Sequence, residues 1–379
     1  MKRVKTGKRV LSIVLAVMML VSLIPITAMA DTGSSEKAWA GTAEGEILVK
    51  DTITKITNDV VEHELISNTP AGNDQKIDYM CRAILSDTIK IVACYGENDA
   101  SKWRMVSTTK QAAAYEKDHP GETVVAAINA DFFNMATGEP LGALVMEGKQ
   151  YHDAGGRWYF AILKDGTPVI RNNPDLSDCQ TAVGGWLPLV KDGKACTENF
   201  EGGTNDYSRS TIGIMEDGSI VTSVTHGMLT PVSCGRTYKE IAEMYMAEGA
   251  KDVLVLDGGG SATYAARIEG SDKLEVRNSP SDGAEREVCS SLLIVSTAKS
   301  TGVFDHAALT PNNDLYTPGY EVQFTASGID TAGFPMAVPT DATWALADDS
   351  KDMGTIDAKT GLFKAGDKTG TVNVQMVQG

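Results

Sequence analysis

The sequence predicts an α+β architecture: a mixed, mostly β domain with few helices, followed by a small all-β sandwich. Three observations carry this. Short β-prone apolar runs recur through the chain, among them IKIVACY (89–95), TVVAAIN (123–129), RWYFAIL (157–163) and SSLLIVS (290–296). Asp-Gly turn signals, KDGTP (164–168), KDGK (191–194) and EDGS (216–219), separate such runs. Only two stretches have the spacing of a helix.

From the amino end, Lys2, Arg3, Lys5, Lys8 and Arg9 precede an almost continuously apolar Val10–Ile26, and Ala28-Met29-Ala30 offers small residues at a cleavage site. Residues 1–30 therefore read as a secretory signal peptide, and the remaining chain as secreted, extracellular or wall-associated, with no membrane segment after cleavage. Residues 31–45 are small and polar and read as a flexible leader.

Residues 46–298 read as one α/β-type unit rich in strands. Its helices are expected near Thr109–Lys117, ahead of His119-Pro120-Gly121, and over TYKEIAEMYMAEG. In the latter, Tyr238, Ile241, Ala242 and Tyr245 share a face and Gly249 is the stop. After the polar linker 299–302, residues 303–379 hold no cysteine and read as short strands: EVQFTASG, ATWALA and GTIDAKTGLFKAGDKTGTVNVQMV. The GTIDAKTGLFKAG…TGTVNV stretch resembles bacterial immunoglobulin-like domains, which implies a spacer or a cell-wall contact.

The whole chain has 34 basic and 50 acidic residues, a balance of −16. Loss of the signal, with five basic and no acidic residues, takes it to −21. So acidic a surface repels nucleic acid and anionic lipid, and an anionic substrate needs a local cluster of arginines or amides. Six cysteines (81, 94, 179, 196, 234, 289) form no CxxC pair, and no HxH, HExxH or GxSxG occurs. Neither a structural zinc site nor the common hydrolase elbow is indicated, and no cofactor is expected.

Four stretches carry chemistry. VLVLDGGGSATYAAR (253–267) puts Asp257, Gly258, Gly259, Gly260 and Ser261 after a strand without opening a capped helix, and it fits neither GxGxxG nor GxxxxGK[ST]. Three glycines let a backbone approach a ligand and present bare amides. In AAINADFFNMATGEPLG (126–142), Asn129 and Asp131 stand at the end of an apolar strand, while Phe132 and Phe133 read as core. SRSTIGIMEDGS (208–219) and GAEREVCSSLLIV (283–295) each set an arginine, Arg209 or Arg286, before a strand, a side chain whose planar fork suits phosphate.

In this order the four stretches resemble the phosphodiester glycosidase family over roughly residues 80–296. The resemblance implies hydrolysis of the bond between a sugar's anomeric carbon and a phosphodiester, giving free sugar and a phosphomonoester. Carried onto this chain, it places the site at Asn129, Asp131, Arg209, Asp257, Gly258, Gly259, Ser261 and Arg286. Ser210 and Gly260 in the same stretches, and His226 of VTHGML, complete the candidate substrate-binding set. The chain has His226-Gly227 where relatives often carry Asp-Gly. Asp257 or Asp131 is expected to serve the anomeric centre, Arg209 and Arg286 the phosphate, Asn129 and Ser261 the sugar. Two other readings fit the same residues: a non-catalytic protein binding wall or exopolysaccharide glycans, and a phosphodiesterase cutting at phosphorus with aspartate-held calcium or magnesium.

Overall fold

The computed structural model describes residues 38–39, 41–69, 74–311 and 316–378. The expected signal peptide lies outside the described residues. These divide into two units, one of 38–302 with Thr331–Pro335 and one of 303–330 with 336–378.

The larger unit is mostly β, and every strand pairing in its large sheets is antiparallel. An eight-stranded sheet runs in the order Ile47–Thr57, Val60–Asn68, Gln75–Ala83, Ile220–Thr225, Arg209–Met215, Ala250–Val255, Pro188–Lys191, Lys194–Ala195. A five-stranded sheet has Thr123–Asn129 at its centre, between Tyr264–Arg267 and Ser290–Ser296. The apolar runs explain this placement. Thr123–Asn129 is buried from Val124 onward and Ser290–Ser296 throughout, so both need cover on two faces. One face packs into a core shared with the eight-stranded sheet, where Ile128, Leu292 and Tyr264 meet Ile212, Val224 and Leu254. The other is covered by the helix Thr108–Asp118 through Ala112 and Tyr115. The second helix, Tyr238–Ala247, lays Tyr238, Ile241, Ala242 and Tyr245 on the eight-stranded sheet, the face its spacing predicts. A second five-stranded sheet, containing Tyr159–Leu163 and Cys179–Gly184, completes the unit.

Trp39 and Ala43, expected within a flexible leader, are instead buried. Trp39 packs its ring on His63 and Tyr245, and its amide donates to Asp51 at 2.8 Å. All six cysteines are free thiols, and burial pushes Cys81 and Cys94 up to about 12. Among the described residues no helix is long and apolar enough to cross a membrane.

The smaller unit consists of short strands in small antiparallel sheets around Trp344, Phe324, Phe363 and Met376. EVQFTASG forms two strands, Glu321–Gln323 and Thr325–Asp330, in different sheets. Gly361 is required where it stands: its φ is +74° and a Cβ there would lie 2.6 Å from the Trp344 ring.

Candidate active site

Two strands from different sheets, Thr123–Asn129 and Ala250–Val255, bring their carboxyl ends together. The Asp257 amide donates to Ala130 O at 2.9 Å, and Asn129 Nδ2 donates to Asp257 O at 2.6 Å. Asn129 Oδ1 accepts from Ser210 Oγ at 2.8 Å and from the Thr263 amide at 3.0 Å. Asn129 and Ser210, expected as substrate contacts, are thus fully buried struts whose polar groups tie three strands to one another.

The join holds two carboxylates in electrostatic reach of each other. Asp131 is 1% exposed; Oδ2 accepts from the Gly142 amide at 2.7 Å, while Oδ1 is buried with no partner. Burial pushes its carboxyl up to about 7, with the Asp257 charge adding to the rise and the Gly142 amide and Arg157 opposing it. The carboxylate lies against bare backbone: a Cβ on Gly184 would come within 2.5 Å of Oδ2. Asp257 is raised to about 6, again by burial, against the pull of the Ser261 hydroxyl and Arg286.

The glycine run closes on protein groups from two directions. Gly259 has φ +61° and donates its amide to Ser208 O at 2.9 Å; a Cβ on Gly258 would sit 2.7 Å from the same oxygen. Ser261 N donates to Gly258 O at 3.2 Å, so the loop does not offer all its amides bare, as its composition suggested. Gly260 lies directly under the Arg286–Asp282 pair, where any side chain would collide with both.

The two expected arginines differ in charge state of their surroundings. Arg286 is neutralised by Asp282, with Nε at 2.7 Å from Oδ2, and reaches Ser261 Oγ at 3.3 Å. Arg209 has no carboxylate partner among the described residues. Nε donates to Arg236 O at 3.2 Å and Nη2 to Asn205 O at 3.1 Å, and the guanidinium lies 4.4 Å from the Tyr238 ring centroid and 5.2 Å from that of Tyr207. Burial lowers its proton affinity. His226 follows the strand Ile220–Thr225, its amide donating to Ile77 O at 2.8 Å. It is buried against Tyr79, accepts at Nε2 from the Ser279 amide at 2.8 Å, and has Asp78 and Glu64 as its charged neighbours. Burial lowers its proton affinity, so it is a neutral ring with its proton on an unpartnered Nδ1.

Four side chains of the site were not singled out from the sequence: Arg157, Trp186, Tyr207 and Tyr238. Arg157 stacks 4.8 Å from the Trp186 ring centroid, and Trp186 packs its ring on Phe132 at 5.7 Å. Trp186 is fixed beside Asp257 because its amide donates to Val255 O at 2.8 Å. Arg157 carries the signal that marked Arg209 and Arg286, one arginine ahead of an apolar strand, but RWYFAIL was read only as a strand. Among the described residues no three His, Cys, Asp or Glu side chains cluster to hold a metal.

A family-wide profile described as phosphodiester glycosidase matches residues 122–295. The SPbeta prophage-derived uncharacterized protein YomE of Bacillus subtilis (strain 168) is 29% identical over 187 residues, 45% of this chain and 28% of YomE. The N-acetylglucosamine-1-phosphodiester alpha-N-acetylglucosaminidase of Bos taurus is 28% identical over 181 residues, 42% of this chain and 34% of that protein. The matches thus span about a third of the length of these curated relatives. The zebrafish catalytic domain of the same name, solved auto-inhibited by its pro-peptide, superimposes with a TM-score of 0.52 at 19% identity, covering 65% of this chain and 87% of that one. At that identity the likeness is one of fold.

Proposed function

We propose that the phosphodiester glycosidase domain of residues 122–295 hydrolyses the anomeric C–O bond of a sugar-1-phosphodiester, releasing free sugar and a phosphomonoester. One observation carries the reading: two aspartates of raised proton affinity, Asp131 buried and Asp257 half-buried, share a site with a guanidinium, Arg209, that forms no ion pair with a carboxylate among the described residues.

The two carboxyl groups divide the work by their proton affinities. Asp131, raised to about 7, holds a proton near neutrality and delivers it to the departing phosphate oxygen. Asp257, raised to about 6, is the more ionised of the two and stabilises positive charge growing at the anomeric carbon, which water then attacks, its released proton restoring Asp131 to the acid form. A phosphomonoester is a competent leaving group, so neutralising its charge matters more than strong acid catalysis, and Arg209 supplies that. Arg286, matched by Asp282, holds Ser261 in place beside Asp257. The protein is further proposed to be secreted, with its C-terminal unit an immunoglobulin-like module contacting the cell wall; the small antiparallel sheets around Trp344 favour that form.

A panel of sugar-1-phosphodiesters, with and without EDTA and in isotopically labelled water, tests the reaction. Free sugar carrying the label at the anomeric oxygen is the expected result. Label in the phosphate would replace this reading with cleavage at phosphorus. Glycan binding without any product would replace it with a binding protein, which the exposed Trp186 and Tyr207 rings favour next.

A further inference from the structure

Arg157 is the unexplained charge of the site. Its Nη1 is buried without a hydrogen-bond partner, and the guanidinium forms no ion pair among the described residues, although the Asp131 carboxylate lies close enough to feel its charge. The side chain is nevertheless firmly placed. Gly155 and Gly156, at φ +57° and +73°, turn the chain tightly, and the Arg157 amide donates to Ala154 O at 2.8 Å. The next residue, Trp158, accepts from the Gly185 amide at 2.9 Å, tying this turn to the backbone just before Trp186. The guanidinium plane then rests on Trp186.

A buried guanidinium nitrogen left without an acceptor is costly, roughly 1–3 kcal/mol for the unmade hydrogen bond. Elsewhere this chain does not accept that cost. Arg236, which is fully buried, is bonded to Asp78 and Glu46, and the partly buried Arg277 to Glu62. The second orphan of the site belongs to Asp131, whose carboxylate feels the Arg157 charge. A Cβ built on Gly142 would stand 3.3 Å from Asp131 Oδ2 and 3.6 Å from Arg157 Cδ, and the Asp131 Oδ1 atom has no partner either. An anionic oxygen entering here accepts from Arg157 and, while Asp131 holds its proton, from Asp131 as well.

We infer that Arg157, backed by the Trp186 ring, is an anion-binding residue of this site that takes the phosphoryl group of the substrate directly. The inference rests on the phosphodiester reading for its substrate but on the geometry for its anion. It also moves the second phosphate contact from Arg286, which Asp282 already neutralises, to Arg157.

Inorganic phosphate is the probe, titrated into the full-length protein and followed by calorimetry and by tryptophan fluorescence. Wild type is expected to bind it, Arg157→Gln to lose about tenfold or more in affinity, and Arg157→Lys to lose less because it keeps charge without the fork. Trp186→Phe should retain binding and lose most of the fluorescence change. In turnover, Arg157→Gln is expected to raise KM for a sugar-1-phosphodiester about tenfold or more, while a p-nitrophenyl glycoside, which lacks phosphate, keeps its KM. Wild-type phosphate affinity in both Arg157 variants, or no binding by wild type up to about 50 mM, overturns the inference. Thermal melting of each variant separates lost binding from lost fold. Phosphate binding that depends on Arg157 with no sugar released from any diester leaves this inference standing and overturns the reaction. Sugar release with an unchanged KM in Arg157→Gln does the reverse.

Discussion

At Asp131 the fold buries a carboxylate with one oxygen unbonded, and the consequence is a pH-dependent stability. Its proton affinity rises from 3.8 to about 7 on folding, so the folded chain holds a proton that the unfolded chain has released. Stability from this group is therefore fully present below about 4, falls as pH climbs, and levels off above about 7. Asp131→Asn removes the penalty while keeping an acceptor for Gly142. The variant should be more stable than wild type by on the order of 2–4 kcal/mol at pH about 8, with the gap closing toward pH about 4, and should lose turnover. Urea unfolding across that range checks it; parallel curves for the two proteins would contradict the burial. Asp131 and Asp257 stand out in the sequence as candidates because a carboxylate at the end of an apolar run has few structural uses. Asn129 stood in the same kind of place, but an amide serves a strut as well as a sugar, and only the partners Ser210, Thr263 and Asp257 decide between them.

The helix Tyr238–Ala247 shows how an element far from chemistry in sequence sets an arginine in the site. Thr237 and Glu240 form a reciprocal cap, Glu240 N donating to Thr237 Oγ1 at 3.3 Å and Thr237 N to the Glu240 carboxylate at 2.8 Å. Glu240 is also held by Lys76 at 2.6 Å. The first helical residue, Tyr238, is the ring on which Arg209 rests. Thr237→Ala should cost about 1–2 kcal/mol in unfolding free energy and, by loosening the Tyr238 ring, raise KM for an anionic diester more than for a neutral glycoside. Denaturant melts and the two substrates compared side by side test this; a stability loss with no substrate difference would mean the helix start does not position Arg209. Both helices were readable because their periodicity and stops are local: the first, expected near Thr109–Lys117, spans Thr108–Asp118. The pairing of Thr123–Asn129 with Ser290–Ser296 was not, since nothing local in either strand names a partner so far along the chain. Trp39 was misplaced for the same reason, its polar surroundings giving no hint of the His63 and Tyr245 rings it packs on.

Over the whole molecule, an acidic chain is proposed to act on an anion. The balance is −16. Within a Debye length of the surface the substrate meets that global field; inside the site it meets Arg157 and Arg209, neither in an ion pair with a carboxylate among the described residues. Screening contracts from about 30 Å at 0.01 M salt to about 8 Å at 0.15 M, which removes long-range repulsion sooner than it weakens contacts in a partly buried cluster. The value of kcat/KM for a phosphodiester should therefore rise about twofold over that range, while that of a neutral glycoside stays level. Steady-state kinetics at matched pH in sodium chloride decides it. A fall with salt would mean that the two arginines dominate the approach as well as the docking, and that the acidic surface is turned away from the path the substrate takes.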